Sequence, residues 1–427
     1  MDTRSLYDLA PIAWLLAAGA LIALGPLVWV WRRNAGAGPA RRLHALTVLT
    51  LFLTFDLTLF GAFTRLTDSG LGCPDWPGCY GNASPVGARH EIAMAQAAQP
   101  TGPVTHGKAW VEMIHRYLAT GVGALITVLA ISTWVVRRRQ RRQPGGSGAA
   151  VAPPAAAVRG GDHATLSPWW PAATFVWVCL QGAFGALTVT WKLFPAIVTL
   201  HLLGAVVLLV LLCIQAVRYR QVAAQRLPEP VPSALRNGLV ATMALLVLQI
   251  ALGGWVSTNY AVLACTQFPT CQDSWWPPMN FGQGFEIWRH LGMTGDGVPL
   301  DFAALTAIHY THRLMAYAVF AALGLLAWRM RRIDALRPQA RWLAGLALLQ
   351  LATGLGNVLL GWPLAAAVLH TGGAAALAVV LTWALCESRR EAAGATAPQA
   401  DGGAARLRRA GGAISHGVPR RGAEATR

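Results

Sequence analysis

Nine apolar stretches of about 20 residues recur along the chain, and each is long enough to cross a hydrocarbon layer of roughly 30 Å as an α-helix. Of the 427 residues, 55% are hydrophobic and only 12% are charged, which is more apolar surface than a soluble core can hide. The sequence therefore predicts an all-α integral membrane protein. The predicted spans are 11–31, 43–64, 109–136, 168–190, 196–217, 236–257, 303–329, 341–361 and 364–386.

The basic residues gather beside the ends of the predicted spans. The net charge of +17 therefore indicates membrane topology, and no nucleic-acid partner is expected. The clusters occupy every second loop, so the positive-inside rule predicts a cytoplasmic C-terminus and an N-terminus outside. The first stretch lacks a basic start and a small-residue cleavage site, which favours a membrane span over a signal peptide. The clusters lie at 32–33, 41–42, 137–142, 218–226, 329–341 and 389–390.

The two long outer loops of this topology each carry a closely spaced cysteine pair. Cys73 and Cys79 lie in CPDWPGC, and Cys265 and Cys271 lie in CTQFPTC, with five intervening residues in both pairs. An extracytoplasmic compartment permits disulfides, so two short-loop bridges are predicted, with four free thiols as the alternative. Metal binding is disfavoured because no histidine or further cysteine stands at a ligand-like spacing beside either pair.

The cysteine pairs belong to an internal repeat that covers most of the chain. EMIHRYLA corresponds to HYTHRLMAY, QGAFGALTV to QLATGLGNV, and TLHLLGA to VLHTGGA. The repeat predicts two pseudo-symmetric four-helix bundles plus one extra N-terminal helix. The predicted units are 1–42 for the extra helix with its cytoplasmic loop, 43–217 for the first bundle with a disordered linker at 143–166, 236–386 for the second bundle, and 387–427 for a disordered cytoplasmic tail.

Four histidines occupy repeat-related positions inside the spans. His115 and His201 belong to the first bundle, and His312 and His370 belong to the second. A single membrane histidine often only bonds to a neighbouring helix, whereas two histidines on separate helices of one bundle are the arrangement that holds a bis-histidine haem. The pattern predicts two haem sites near the outer face. Glycines on adjoining helices are expected to leave room for the macrocycle, with close helix packing as the alternative: Gly182, Gly185, Gly354 and Gly356.

One position distinguishes the two halves. Glu112 stands three residues before His115, whereas His309 stands three residues before His312, and residues three apart share a helix face. A buried carboxylate can accept a proton, as oxidation at carbon requires. The alternative is that Glu112 only pairs with Arg116. His309 is a competing candidate for the iron, and the shared His-Arg sequence favours His312.

Other charged residues have open roles at this stage. Asp56 lies in mid-span and is a functional candidate without an identifiable partner. Arg65, Arg116 and Arg313 stand near the outer surface, where they are candidates to bind haem propionates, with interfacial anchoring as the alternative.

The motifs TRLTDSGLGCPDWPGC, EMIHR, TLHLLGA, IHYTHR and VLHTGG resemble those of the haem A synthase family across nearly the whole repeat region. That family is understood to oxidise the C8 methyl of haem O to a formyl group, with water as the oxygen source, which supplies haem A to aa3-type cytochrome oxidases. The resemblance implies an oxidoreductase with Glu112, His115 and His201 at the substrate haem O site. It also implies that His312 and His370 bind a resident haem b.

The resemblance further implies a location in the bacterial cell inner membrane. Haem O synthase, cytochrome oxidase assembly factors and an unidentified electron acceptor are the implied partners, besides haem O, haem A, the lipid membrane and further copies of the chain in a homo-oligomer.

Two other classes of protein share some of these features. A diheme b-type cytochrome that exchanges electrons with quinone would have the same four histidines, but an electron carrier needs no acid-base group in one half only. A transporter built from repeats usually has inverted repeats, whereas both repeats here begin on the same side of the membrane.

Overall fold

The computed structural model describes residues 10–142 and 167–391. The predicted linker 143–166 and residues 392–427 of the predicted tail lie outside the described residues. The helices are α1 (Ala10–Arg33), α2 (Pro39–Leu66), α3 (Arg89–Ala98), α4 (His106–Arg142), α5 (Trp169–Thr190), α6 (Pro195–Ala224), α7 (Ser233–Thr258), α8 (Phe281–Gly284), α9 (Phe302–Met330), α10 (Arg337–Leu359) and α11 (Leu364–Glu387). All except the short α3 and α8 are long and apolar enough to cross a membrane, which confirms the nine predicted spans and the all-α membrane fold for the part of the chain that is described.

Local sequence explains where the spans begin and how they tolerate polar residues. Pro39 begins α2 and Pro195 begins α6, and proline suits the first helical turn because its missing N–H has no acceptor there. Several threonines of α2 donate their hydroxyl groups to the carbonyl four residues earlier, which satisfies them inside an apolar segment. These threonines are Thr47, Thr50, Thr54, Thr58 and Thr64.

The eight spans that follow α1 pack as two groups of four. The first group contains α2, α4, α5 and α6, and the second contains α7, α9, α10 and α11. Helices α6 and α11 contact each other and join the groups, and α6 also contacts α7. The groups follow the internal repeat, while the boundaries of the units stay a prediction.

Helix α1 packs along α4 outside the first group. The backbones approach closely at Gly19, where a Cβ atom would overlap Thr120, and at Gly121, where a Cβ would lie 3.0 Å from Ile22. Small residues at such crossings are typical of helix association in membranes.

Two short strands join the ends of the second group. Strand β1 (Glu229–Val231) precedes α7, and β2 (Ser388–Arg390) follows α11, and the two pair in parallel. The prediction that the disordered tail begins at residue 387 is therefore wrong for residues 387–390, since Glu387 ends α11 and the next three residues form β2. The reason is tertiary: the partner of β2 lies about 160 residues earlier in the chain, where local sequence gives no sign of it.

Candidate functional site

The four predicted histidines form two pairs, one in each helix group. His115 of α4 and His201 of α6 lie in the first group, and His312 of α9 and His370 of α11 lie in the second. All four residues are half-buried. The ring centres of His312 and His370 are 6.5 Å apart.

Each of the four imidazoles lies against a glycine of a neighbouring helix. In the first group, a Cβ at Gly61 would lie 3.0 Å from His115 Nε2, and a Cβ at Gly185 would lie 3.4 Å from His201 Cε1. In the second group, the corresponding distances to Cε1 are 2.9 Å from Gly253 to His312 and 3.3 Å from Gly354 to His370. Two of the four predicted glycines, Gly185 and Gly354, therefore face one of these histidines. Gly182 has no atom within 4 Å of its would-be Cβ, and Gly356 contacts only Ala366 and Leu360.

Gly61 and Gly253 were missed by the sequence interpretation. Each stands twelve positions before the first cysteine of its outer loop, at Cys73 and Cys265. An alignment of the two halves that extends upstream from the cysteine pairs identifies both glycines.

The geometry of the second histidine pair, His312 and His370, fits a haem iron. Two imidazoles on opposite sides of one metal ion, each bound at about 2 Å, have ring centres roughly 6 Å apart, and the observed 6.5 Å is close to that. Nδ1 of His201 is buried without a hydrogen-bond partner among the described residues. Within residues 10–142 and 167–391, no group of three or more His, Cys, Asp or Glu side chains is placed to hold a metal ion by itself. A pair of histidines suits a metal whose other ligands come from a macrocycle.

Glu112 lies one turn before His115 and is buried at 4% exposure. Its carboxylate forms an ion pair with Arg116 and accepts a hydrogen bond from the backbone N–H of Cys73 at 2.8 Å. Pairing with Arg116, the alternative to a chemical role, is therefore present, but it occurs in the protein interior. Glu112 also connects the helix that carries His115 to the first disulfide loop.

Both predicted disulfides are confirmed. Cys73 is bonded to Cys79 and Cys265 to Cys271, each pair with a Cα–Cα distance of 4.9 Å. Cys79 and Asn82 exchange two backbone hydrogen bonds, and Cys271 and Ser274 do the same in the second loop. The two outer loops therefore share one local structure.

An arginine holds each disulfide loop to the helix beneath it. Arg116 donates to the carbonyls of Asp75, Pro77 and Gly78 at 3.0, 3.1 and 2.6 Å. Arg313 donates to the Thr270 carbonyl at 3.0 Å and, at 3.5 Å, to those of Pro269 and Cys265. In this structure both guanidinium groups bind loop carbonyls, a role that the sequence interpretation did not include.

Arg65 connects the two halves of the protein. Its guanidinium donates to the Ser257 carbonyl of α7 at 2.6 Å, pairs with Asp68 at 3.1 Å and lies over the Tyr260 ring at 4.3 Å. The Tyr260 hydroxyl donates to Asp68 at 2.5 Å.

His309, the residue at the Glu112 position of the second half, is buried and hydrogen-bonded away from the histidine pair. Its Nδ1 lies 3.0 Å from the Ala261 carbonyl, and its Nε2 lies 3.4 Å from Arg313. His312, not His309, faces His370. The arrangement agrees with the preference for His312 that the shared His-Arg sequence gave.

Asp56 is an exposed residue midway along α2. It stands one turn before Phe60, whose ring stacks on that of His115 with centres 6.3 Å apart. No hydrogen bond or ion pair of Asp56 is formed with the described residues, and its role stays open.

The second histidine pair has polar neighbours that the sequence interpretation also missed. The Thr353 hydroxyl lies 3.0 Å from Nδ1 of His370, and the Gln249 carboxamide lies 3.1 Å from Nδ1 of His312. Gln350 donates to the His370 carbonyl at 2.8 Å. Gln350 is the first residue of the repeat segment QLATGLGNV.

The outer loop of the second half encloses an arginine that forms no ion pair with the described residues. Arg289 is 1% exposed, its Nε and one terminal nitrogen have no partner among the described residues, and its other terminal nitrogen lies 3.4 Å from the Met293 carbonyl. Burial lowers the pKa of this guanidinium, and the charge of Glu286 acts in the opposite direction.

Comparison with known proteins matches most of the chain. A profile of the COX15-CtaA family, described as "Cytochrome oxidase assembly protein", matches residues 44–382. The chain is 36% identical over 335 residues to "Heme A synthase" of Shewanella oneidensis, a match that covers 78% of this chain and 92% of that protein. It is 27% identical to "Heme A synthase" of Rhizorhabdus wittichii, covering 82% of this chain and 95% of the relative. For "Heme A synthase" of Caulobacter vibrioides the identity is 26%, with coverage of 77% and 91%.

Proposed function

We propose that this chain oxidises the C8 methyl of haem O to a formyl group in its first helix group. The chain belongs to the COX15-CtaA family of haem A synthases and is thus an oxidoreductase of cytochrome oxidase assembly. The second helix group is proposed to hold a resident haem b. The observation that carries this assignment is the asymmetry between the halves: Glu112 is present beside only the first of two otherwise matching histidine pairs.

His115 and His201 are proposed to hold the substrate. They stand on helices α4 and α6, and Gly61 and Gly185 leave the space in which both rings sit. The close glycine contacts restrict where each ring can lie, and a fixed ligand pair presents the substrate at one depth in the membrane. Positioning of this kind is a large part of what a protein contributes to a reaction.

The reaction converts –CH₃ and H₂O to –CHO with release of four protons and four electrons. Glu112 is proposed to accept protons at this site, because its carboxylate stands one turn from His115 and a positioned carboxylate is an effective base. Arg116 and the Cys73 N–H hold that carboxylate in place. His312 and His370 would bind the haem b, which when present supplies a one-electron carrier between the substrate and an external acceptor.

The chain is a multi-pass membrane protein, and we propose that its N-terminus lies outside and its C-terminus in the cytoplasm of a bacterial cell. The arginine-rich helix ends support this orientation. With this orientation, both disulfide loops lie outside the cytoplasm, where disulfides persist. Haem O synthase, assembly factors of the oxidase and an electron acceptor are the proposed partners.

The test of the function compares Glu112→Gln with the wild-type chain, each expressed with a source of haem O. Glutamine keeps the size and can still accept from Cys73 N–H, but it is not a base. We expect the variant to retain haem b and to produce little or no haem A, as measured by chromatography of the extracted haems. A normal yield of haem A would exclude Glu112 as the base. Haem b alone in the wild-type chain, despite available haem O, would favour a b-type cytochrome instead.

A further inference from the structure

The two histidine pairs differ in what contacts the Nδ1 atoms of their rings. In the second pair, Thr353 Oγ1 lies 3.0 Å from Nδ1 of His370. The Thr353 hydroxyl donates its own proton to the Leu349 carbonyl at 2.7 Å. The hydroxyl oxygen is therefore an acceptor toward the ring, so Nδ1 carries the proton and Nε2 keeps a lone pair for a metal.

His312 has a comparable neighbour in Gln249. Nε2 of the Gln249 carboxamide lies 3.1 Å from Nδ1 of His312 and donates to the His312 backbone carbonyl at 3.1 Å, while its Oε1 has no hydrogen-bond partner among the described residues. The bond to the His312 carbonyl holds the carboxamide beside the ring, so Gln249 restricts the orientation of this imidazole. Both ligands of the second site thus have a polar partner on a neighbouring helix.

The first site has apolar residues at the two corresponding positions. The repeat aligns Gln249 with Leu57 and Thr353 with Phe184. Accordingly, Nδ1 of His201 is buried without a partner among the described residues. In place of a hydrogen bond, His115 is stacked against Phe60. The directly coordinating residues are the same in the two sites, so any difference in haem binding must arise from residues around them.

We propose that the residues at the two aligned positions, Gln249 or Leu57 and Thr353 or Phe184, decide which site keeps its haem and which site exchanges it. Gln249 and Thr353 hold the second site as a permanent haem site, whereas Leu57 and Phe184 leave the first site with weaker ligands that release their haem. This inference rests on the proposed function, in which one haem enters as substrate and leaves as product while the other stays.

The expected change in haem affinity follows from what is known of hydrogen bonds to metal-ligating histidines. A hydrogen bond to the second nitrogen of a ligating histidine fixes its orientation and raises its basicity, and its loss typically lowers metal affinity about 10- to 100-fold. The same bond strengthens electron donation to the metal and stabilises the oxidised iron. Its removal is expected to shift the midpoint potential to a more positive value.

The experiment measures haem loss one site at a time, with haem b as the probe in the full-length purified chain. In a His115→Ala, His201→Ala background only the second site binds haem, and transfer to excess apomyoglobin is followed in the visible spectrum. We expect Thr353→Val to accelerate haem loss about 10-fold or more and to raise the midpoint potential. Gln249→Leu, which releases the orientation of the His312 ring, should also accelerate haem loss. Thr353→Ser keeps the hydroxyl and should behave as the parent.

The matched control is Thr382→Val. Thr382 is a buried threonine of α11 whose hydroxyl also bonds to the carbonyl four residues earlier, but it has no contact with a ligand ring. The reciprocal arm uses a His312→Ala, His370→Ala background, in which Leu57→Gln and Phe184→Thr should slow haem loss from the first site.

Equal haem loss and equal potential in Thr353→Val and Thr382→Val would overturn the proposal. So would faster haem loss from the unaltered second site than from the unaltered first site. Because neither measurement depends on haem A production, a failed activity test with the expected difference in retention would overturn the proposed reaction and leave this inference standing.

Discussion

Gly253 should be the position where a single methyl group most directly disturbs the proposed haem b site. An alanine Cβ there would lie 2.9 Å from Cε1 of His312 and 3.5 Å from its Nδ1. Carbon atoms pack at about 3.5–4.0 Å, so the ring would have to move by roughly 0.6 Å or more. The ring cannot simply turn aside, because Gln249 also contacts it.

The free-energy cost of the added methyl group follows from the effect of overpacking in a well-packed protein interior. Added methyl groups of this kind cost about 1–3 kcal/mol, which corresponds to a roughly 5- to 150-fold loss of haem affinity. The assay is the haem b content of purified Gly253→Ala as a function of added haem, read from the visible spectrum, together with thermal unfolding of the haem-free chain.

Gly324→Ala is the matched control. Gly324 is an exposed glycine of α9, in the same helix group, and a Cβ there would meet no atom within 4 Å. Both variants gain about 1 kcal/mol of helix propensity from alanine, so their difference isolates the contact with His312. Wild-type haem affinity in Gly253→Ala would refute the claim that the glycine makes room for the ligand.

Two further perturbations test other parts of the site. Replacing Cys73 and Cys79 by serine removes about 2 kcal/mol of loop constraint and loosens the backbone N–H that holds Glu112. The yield of haem A should therefore fall several-fold while the haem b content is unchanged. The double variant at Cys265 and Cys271 should have the smaller effect on haem A yield. An equal loss of yield in both would show that Glu112 is not the link. Arg289→Met should raise the stability of the haem-free chain by about 1 kcal/mol, because it removes a buried guanidinium that has two nitrogens without hydrogen-bond partners among the described residues. A lower unfolding temperature would instead reveal a stabilising partner for the guanidinium.

The elements that could be predicted from the sequence are those with a local cause. Nine apolar stretches predict nine helices because span length is fixed by membrane thickness. The two cysteine pairs could be paired because only five residues separate the members of each. His115, His201, His312 and His370 could be grouped because the repeat preserves their order, and the structure brings His312 and His370 together.

The contacts that could not be predicted depend on which helices meet and at what height. The acceptor of His309 is a carbonyl 48 residues earlier, so this hydrogen bond could not be predicted from local sequence, although the shared His-Arg sequence favours His312 over His309 for the histidine pair. Arg65 donates to a carbonyl 192 residues away, a contact that its charge and its position near the outer surface do not reveal. The sequence does not distinguish Thr353 from other threonines in membrane helices, because its contact with His370 depends on how α10 packs against α11.

The pairing of β1 with β2 sets an order of events during biosynthesis. Strand β1 is made before the second helix group and β2 after its last helix, so the two can meet only when α7 to α11 have all been synthesised. Arg236 then donates to the carbonyls of Leu385 and Ser388 at that junction. A chain stopped at residue 387 would contain every apolar span but not this closure. The junction therefore distinguishes a finished second half from a nascent one, because the β1–β2 ladder forms only when Ser388–Arg390 are present.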